Sequence, residues 1–149
     1  MTTPRIDIDV KKIIHNAKKL KELYGTKNVG IIGVTKMVCG EPIIANALIE
    51  SGITTLGDSR ISNIKRMRNA GVKANFLLLR TPLPSQIDEV VRYCDISLNS
   101  EISVLISLSA AALKQNVTHK VILMVELGDL REGIMPNDLE GIIGSTLEL

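Results

Sequence analysis

The sequence predicts an α/β fold in which parallel strands alternate with helices. Short apolar runs rich in β-branched residues recur along the middle of the chain, and an amphipathic stretch follows each run. The runs are apolar on both faces rather than alternating, which is typical of strands buried between helices or inside a barrel. Strand and helix in alternation indicate right-handed crossovers, so neighbouring strands are expected to be parallel.

Each of the five predicted strands ends at a polar residue. The apolar runs are residues 29–35 before Lys36, 53–57 before Asp58, 74–79 before Arg80, 96–98 before Asn99, and 121–125 before Glu126. The interval between successive polar ends matches the length of one compact strand-plus-helix unit.

Turn and capping residues separate the predicted helices. Pro42 opens one helix, and Gly52 ends it. Serines are expected to cap the next three helices, and an asparagine opens a fifth: Ser59, Ser85, Ser100 and Asn137. Before these units, residues 5–9 alternate like a half-exposed strand, and residues 11–23 form a strongly amphipathic helix.

Two architectures fit this alternation: a complete doubly wound sheet and part of a (β/α)₈ barrel of the TIM type. A full barrel needs on the order of 250 residues. The chain has 149 residues and five strand-helix units, so a barrel would be incomplete. The last predicted helix reaches Leu149 with no capping residue, which favours the incomplete barrel.

Composition excludes several classes of function. The chain is 45% hydrophobic and 23% charged, which suits a globular domain with a core of its own. Its net charge is only +2 and it has three aromatic residues, so a nucleic-acid partner is not expected. No apolar leader is visible, and no apolar run is long enough to cross a membrane, so a cytoplasmic location is expected. Cys39 and Cys94 lack metal-ligand spacing, so no metal site is expected.

In both architectures the active site lies beyond the carboxyl ends of the strands. The polar residues there are Lys36, Asp58, Ser59, Arg60, Arg80, Asn99, Glu126 and Arg131. Lys36 directly follows an apolar strand and is expected to be partly desolvated, which favours the free amine that forms Schiff bases with carbonyls. The alternative is a lysine that extends into solvent from the strand end.

The other candidates have competing interpretations. Asp58 is better explained as a residue that caps the following helix, and Cys39 as a small buried hydrophobe. Arg80 either binds an anion or lies on an ordinary loop. The polar, glycine-bearing loop of residues 126–133 is more typical of a functional loop than of a plain turn. No nucleotide-binding glycine motif or nucleophile elbow is present in the sequence.

Five segments carry a more specific pattern. They are residues 4–9 with 15–16, residues 33–40, 57–63, 97–101 and 126–134. In this order, and over essentially the whole chain, they resemble the alanine racemase family, and residues 33–40 in particular resemble its ornithine racemase branch. The resemblance implies an enzyme that uses pyridoxal 5′-phosphate (PLP) to interconvert L- and D-amino acids such as ornithine or alanine.

The resemblance also implies roles for two residues. Lys36 would be the catalytic Schiff-base lysine that holds PLP and then moves the α-proton on one face. Arg131 would lie near the cofactor's phenolic oxygen and the substrate carboxylate. The substrate would be a small amino acid and the assembly a homodimer.

Two positions depart from the alanine racemases. Gly40 stands where they have a tyrosine, and Met124 where they have a modifiable lysine. Both changes favour the ornithine-type branch. The later barrel strands and the separate β domain, which supply the family's phosphate site and opposite-face tyrosine, are not in these 149 residues. Residues 1–149 are therefore expected to be the N-terminal part of the barrel domain and to be inactive alone.

Two alternatives remain at this level. One is a non-catalytic PLP-binding homeostasis protein of similar barrel type, whose Gly-Glu-Asn element is replaced here by Gly57, Asp58 and Ser59. The other is a cofactor-free, doubly wound regulatory domain.

Overall fold

A computed structural model describes residues 3–149, which fold as one parallel five-stranded sheet with helices in its crossovers. The strands are β1 (Ile32–Val34), β2 (Thr55–Asp58), β3 (Asn75–Leu78), β4 (Ile96–Asn99) and β5 (Lys120–Leu123). The helices are α1 (Val10–Gly25), α2 (Pro42–Glu50), α3 (Ile61–Asn69), α4 (Ile87–Tyr93), α5 (Ile102–Gln115) and α6 (Leu139–Leu147). Short 3₁₀ turns lie at Lys36–Val38, Pro84–Gln86 and Pro136–Asp138.

The order of the strands decides between the two predicted architectures. The strands are paired in chain order, β1-β2-β3-β4-β5, and every pair is parallel. A doubly wound sheet reverses its strand order at a switch point, whereas a barrel adds each strand on the same side. The fold is therefore an incomplete (β/α) barrel of five units, and the doubly wound alternative is wrong.

The main core lies between the sheet and the helices. Register places Gly33, Leu56 and Phe76 side by side, so they share one face of the sheet. Leu56 and Phe76 are fully buried there, together with the α3 residues Ile64 and Met67. Complete removal of such side chains from water contributes roughly 1.5–3 kcal/mol each.

The opposite, inner face of the sheet is only partly covered. Ile32 and Val34 on β1 are 43% and 47% exposed, and Ile122 on β5 is 44% exposed. β1 and β5 are the two edge strands of the sheet. The expectation of strands buried on both faces thus holds in the middle of the sheet, because five strands do not close the barrel around its interior.

The N-terminal segment differs from the prediction. Residues 3–9 form no strand, and Ile6 is 89% exposed. Alternation of apolar and polar residues gives a strand only where another strand offers hydrogen bonds, and none lies beside this segment. The amphipathic helix is confirmed as α1, and the carboxylate of Asp9 caps it by accepting from the backbone amide of Lys12 at 3.2 Å.

The predicted serine caps are wrong. Three serines form no capping bond to the helices that follow them: Ser59, Ser85 and Ser100. In the first case, the carboxylate of Asp58 instead accepts from the backbone amide of Arg60 at the start of α3. In the last, the serine hydroxyl lies 3.2 Å from the hydroxyl of Thr81. The predicted glycine end of α2 is confirmed, since Gly52 has a φ of +89°.

Candidate active site

Lys36 lies at the carboxyl edge of the sheet, at the start of the 3₁₀ turn that follows β1. Its side chain is exposed, so the expected partial desolvation is absent and the lysine extends into solvent. The inner face of the sheet beside it is open, since Val34 is also exposed.

A cleft of about 330 Å³ brings Lys36 together with Arg131. The eight residues that line it are Lys36, Ser59, Leu79, Arg80, Thr81, Leu83, Arg131 and Glu132. Three of them are cations and one is an acid. Lys36 and Arg131, the two residues to which the family resemblance gives roles, lie on loops after β1 and β5. These strands are at opposite edges of the sheet, and both residues line one cavity.

Thr35 anchors the backbone that carries Lys36. Its side chain is fully buried, and its hydroxyl donates to the Asp58 carboxylate at 2.8 Å. Its backbone amide donates to Gly57 at 2.9 Å, and its carbonyl accepts from the amide of Gly40 at 3.2 Å. The residue before Lys36 is therefore tied to the neighbouring strand and to the far end of its own turn.

Asp58 joins three parts of the fold rather than facing the cleft. It is fully buried and accepts from Thr35 through one oxygen. Its other oxygen accepts from the backbone amide of Arg60 at 3.0 Å and from the side-chain amide of Asn63 at 2.9 Å. The carboxylate thus links the β1 turn, the end of β2 and the start of α3. It is not the predicted cap, since Arg60 occupies the N-cap position of α3 and no side chain forms a capping bond there.

Arg131 lies on a loop that closes on itself beyond β5. An isolated bridge pairs Val125 with Ile134. The amide of Glu126 donates to Ile134 at 2.9 Å, and the amide of Ile134 donates to Met124 at 2.7 Å. These bonds fasten the two ends of the loop side by side, while the segment 127–132 between them is exposed.

The Glu126 side chain holds the inside of this loop. It is 6% exposed, and its carboxylate accepts from the backbone amides of Leu130, at 3.1 Å, and Gly128. These hydrogen bonds lower the pKa of the Glu126 carboxyl below its ordinary value, because they favour the charged form. Glu126 therefore acts on the shape of the loop and does not line the cleft.

Gly133 allows the loop to return close to the strand. Its φ is +147°, and a Cβ atom there would lie 2.5 Å from the backbone nitrogen of Glu126. A side chain at this position would displace backbone atoms, so only glycine fits.

The cleft charges are free of intramolecular ion pairs. Among residues 3–149, the ion pairs join other residues, and none involves Lys36, Arg80, Arg131 or Glu132. An exposed guanidinium or amine without a carboxylate partner is available to an anionic or carbonyl ligand. The arrangement can therefore bind a carboxylate or phosphate and present an amine to a carbonyl carbon.

Three other candidates lie outside this cleft. Asn99 is fully buried, and its side-chain amide donates to the carbonyl and hydroxyl of Ser97 at 3.0 Å each. Cys39 is exposed rather than buried, so its interpretation as a small core residue is wrong. It has a φ of +51° in the tight turn after Lys36, which leaves its side chain outside the core. Arg60 lines a neighbouring groove that shares Arg80 with the cleft.

Sequence reasoning missed four of the lining residues as members of the site. They are Leu79, Thr81, Leu83 and Glu132. Glu132 was visible only as part of a polar loop. Its position next to Arg131 was the available signal, but it does not show which other loops face that loop.

Comparison with known proteins shows what this arrangement is similar to. The family model described as "Alanine racemase, N-terminal domain" matches residues 8–148. A lysine racemase of Thermotoga maritima is 38% identical over 134 residues, covering 90% of this chain and 38% of the relative. An ornithine racemase of Acetoanaerobium sticklandii is 39% identical over 130 residues, covering 87% of this chain and 36% of the relative.

The fold also resembles solved structures. An alanine racemase from Bartonella henselae with covalently bound pyridoxal phosphate superimposes with a TM-score of 0.76, at 21% identity, over 95% of this chain and 40% of that chain. No helix within residues 3–149 is both long enough and apolar enough to cross a membrane. The chain spans less than two fifths of the length of the two racemases it matches in sequence. The family model nonetheless spans every helix and strand from α1 to α6, and the chain belongs to the alanine racemase N-terminal domain family.

Proposed function

We propose that the protein carrying this chain is a PLP-dependent amino-acid racemase. The observation that supports this most is the meeting of Lys36 and Arg131 in one cleft, from loops at opposite edges of the sheet. The two sequence relatives are named for the racemisation of lysine and ornithine, and one structural neighbour holds covalent pyridoxal phosphate.

The donor set of the cleft suits PLP. The cofactor carries an aldehyde and several anionic oxygens, which require an accessible amine and a cation. Lys36 offers an exposed amine, and Arg131 offers a guanidinium that no carboxylate of residues 3–149 neutralises. Lys36 would hold the aldehyde carbon, and Arg131 an anionic oxygen of the cofactor. When bound, PLP withdraws electrons from the substrate's α-carbon and makes its α-proton acidic.

The residues of the chain then have separate tasks. The amine of Lys36, once free, takes or returns the α-proton on the face from which it approaches. Arg131 binds the substrate carboxylate and keeps the α-carbon within reach of that amine. Racemisation needs a second group on the opposite face. Tyr24 and Tyr93 lie on α1 and α4 and do not line the cleft, so that group is proposed to lie outside residues 1–149.

The same reasoning extends to the domain and the assembly. Residues 1–149 are proposed to be the N-terminal part of the barrel domain of a racemase that acts as a homodimer. The open inner face and the two unpaired strand edges support the barrel part of this proposal, since both are surfaces that further strands would cover.

Covalent trapping tests the assignment of Lys36. Reduction of the PLP-loaded protein with borohydride should leave a pyridoxyl group on Lys36, identified by peptide mass spectrometry. Lys36→Ala should remove this adduct, whereas Lys27→Ala, at an exposed lysine outside the cleft, should retain it. A pyridoxyl group on another lysine would overturn the assignment.

Racemisation itself separates an enzyme from a PLP-binding protein without catalysis. Exchange of the α-proton of lysine or ornithine for deuterium, followed by NMR, should be seen with the full-length wild-type protein and lost in its Lys36→Ala variant. Arg131→Ala should lower turnover by about a hundredfold or more, the usual effect of losing a fixed electrostatic stabiliser. A protein that is trapped at Lys36 but exchanges no α-proton would be the non-catalytic alternative.

A further inference from the structure

Glu132 is the one acidic side chain among the eight residues that line the cleft. We propose that Glu132 binds the distal ammonium group of the substrate and so selects diamino acids. This inference rests on the proposed racemase function and names the substrate class of the same site.

The other charges of the cleft disfavour a distal ammonium group. Its other charged groups are Lys36, Arg80 and Arg131, all cations. A diamino acid brings one carboxylate, which a guanidinium binds, and a second ammonium, which the same cations repel. Among the described residues that line the cavity, Glu132 is the one anion that offsets this repulsion, so its removal takes away the partner that this loop offers the distal ammonium.

Glu132 is available for this role. Its side chain is exposed, and among residues 3–149 no lysine or arginine pairs with it, although its neighbour in sequence is Arg131. A carboxylate already held by a cation of the fold would contribute little to ligand binding.

The loop that carries Glu132 and Arg131 is fastened to Glu126 on both sides of this pair. On one side, the amide of Leu130 is bound to the Glu126 carboxylate at 3.1 Å. On the other, Gly133 is packed against the backbone of Glu126. The two residues between these points therefore lie side by side on a loop that is fastened on either side of them, and both line the same cleft.

Arg80 provides the competing possibility. Its guanidinium also lines the cleft and would attract a distal carboxylate, which would select glutamate or aspartate. Glu132 in the same cavity repels that carboxylate, and Arg80 also borders the neighbouring groove with Arg60. The observations thus favour a cationic side chain, and dicarboxylic amino acids become an arm of the test.

Substrates matched in length isolate the distal charge. Lysine is compared with norleucine, ornithine with norvaline, and glutamate is included for Arg80. In the full-length protein, Glu132→Gln should lower kcat/KM for lysine and ornithine about tenfold or more, mostly through KM. The same variant should leave kcat/KM for norleucine and norvaline within about twofold. Glu132→Asp should restore part of the preference.

Two controls keep the result interpretable. Glu140→Gln removes an exposed carboxylate on α6, outside the cleft, and should change none of these ratios. Calorimetric titration with lysine and norleucine measures the same preference as a ratio of Kd values and needs no turnover.

Equal losses for lysine and norleucine in Glu132→Gln would overturn the proposal, because they would indicate a general effect on the loop. No change for lysine, or a wild-type preference for glutamate, would overturn it as well. A wild type that binds lysine more tightly than norleucine, depends on Glu132 for this and yet exchanges no α-proton would refute the racemase and retain the ammonium site.

Discussion

The two loops that present Lys36 and Arg131 are held in different ways. The Lys36 turn is held by contacts to distant parts of the chain, through the buried Thr35 and the carboxylate of Asp58 on the next strand. The Arg131 loop is held mainly by itself, through the Glu126 carboxylate and the bridge between Val125 and Ile134.

This difference separates global from local stability. A change in the Asp58 network disturbs a sheet strand, a helix start and the core beneath them, so it should lower the free energy of unfolding of the whole domain. The Arg131 loop contributes few contacts to the core, and Leu130 at its tip is 82% exposed. A change there should open the loop and leave the rest of the fold in place.

Asp58→Ala is expected to have the largest effect on stability. It removes the carboxylate that accepts from the Thr35 hydroxyl, the Arg60 amide and the Asn63 side chain, and leaves the Thr35 hydroxyl only the carbonyl of Gly57 at 3.3 Å. Hydrogen bonds to a charged group contribute about 1.5–3 kcal/mol each, so a loss of about 3 kcal/mol or more is expected in urea denaturation. Asp7→Ala, which removes an exposed pair with Arg5, should change stability by less than about 1 kcal/mol. Equal effects of the two variants would contradict this account.

Gly40→Ala should have the next largest effect. The φ of Gly40 is +62°, and a Cβ there would lie 2.8 Å from the Cβ of Asn63 and 2.9 Å from its carbonyl oxygen. Backbone strain and overlap together should destabilise the domain by about 2 kcal/mol or more. Gly71→Ala is the control, since Gly71 has a φ of +79° with no atom within 4 Å of such a Cβ. It should cost only about 1 kcal/mol of strain, and a loss as large as that in Gly40→Ala would exclude the overlap as the cause.

Gly133→Ala should change the loop far more than the fold. The new Cβ would overlap the backbone of Glu126, so the loop should detach from the strand. Global unfolding is expected to shift by less than about 1 kcal/mol. Limited proteolysis should show faster cleavage within residues 127–132, and turnover should fall as it does in Arg131→Ala. Gly128→Ala is the matched variant, since Gly128 has a φ of +113° and no atom within 4 Å of an added Cβ. It should be cleaved more slowly than Gly133→Ala.

Acid should loosen the Arg131 loop with the smallest effect of the four. Hydrogen bonds from the Leu130 and Gly128 amides lower the pKa of Glu126 in the folded protein below its ordinary value of 4.5. The stabilisation is therefore complete above the unfolded pKa and is lost as the pH falls through the lowered folded pKa. Hydrogen exchange at these two amides should lose protection in that range. Glu126→Gln should lack this pH dependence. A wild type whose two amides keep full protection below the folded-state pKa of Glu126 would contradict the role given to its carboxylate.

The sequence predicted the strands better than it predicted the geometry of the site. Each of the five apolar runs overlaps an observed strand, because burial of a parallel strand requires apolar residues on both faces. The strand at residues 5–9 and the caps at Ser59, Ser85 and Ser100 were wrong, since both depend on neighbours that local patterns do not show. Glu132 was missed for the same reason, because only the folded chain shows which loops share the cleft.

The position of Lys36 and Arg131 at opposite edges of the sheet makes curvature part of the chemistry. Each residue follows an edge strand, β1 or β5, and three strands separate them. The distance between the Lys36 and Arg131 side chains across the cleft therefore depends on the curvature of the sheet. A change in twist far from the cleft, or in whatever pairs with the two edges, would alter that gap without touching a site residue. Packing on the inner face of the barrel therefore also sets the spacing of the two side chains that we propose to bind the cofactor.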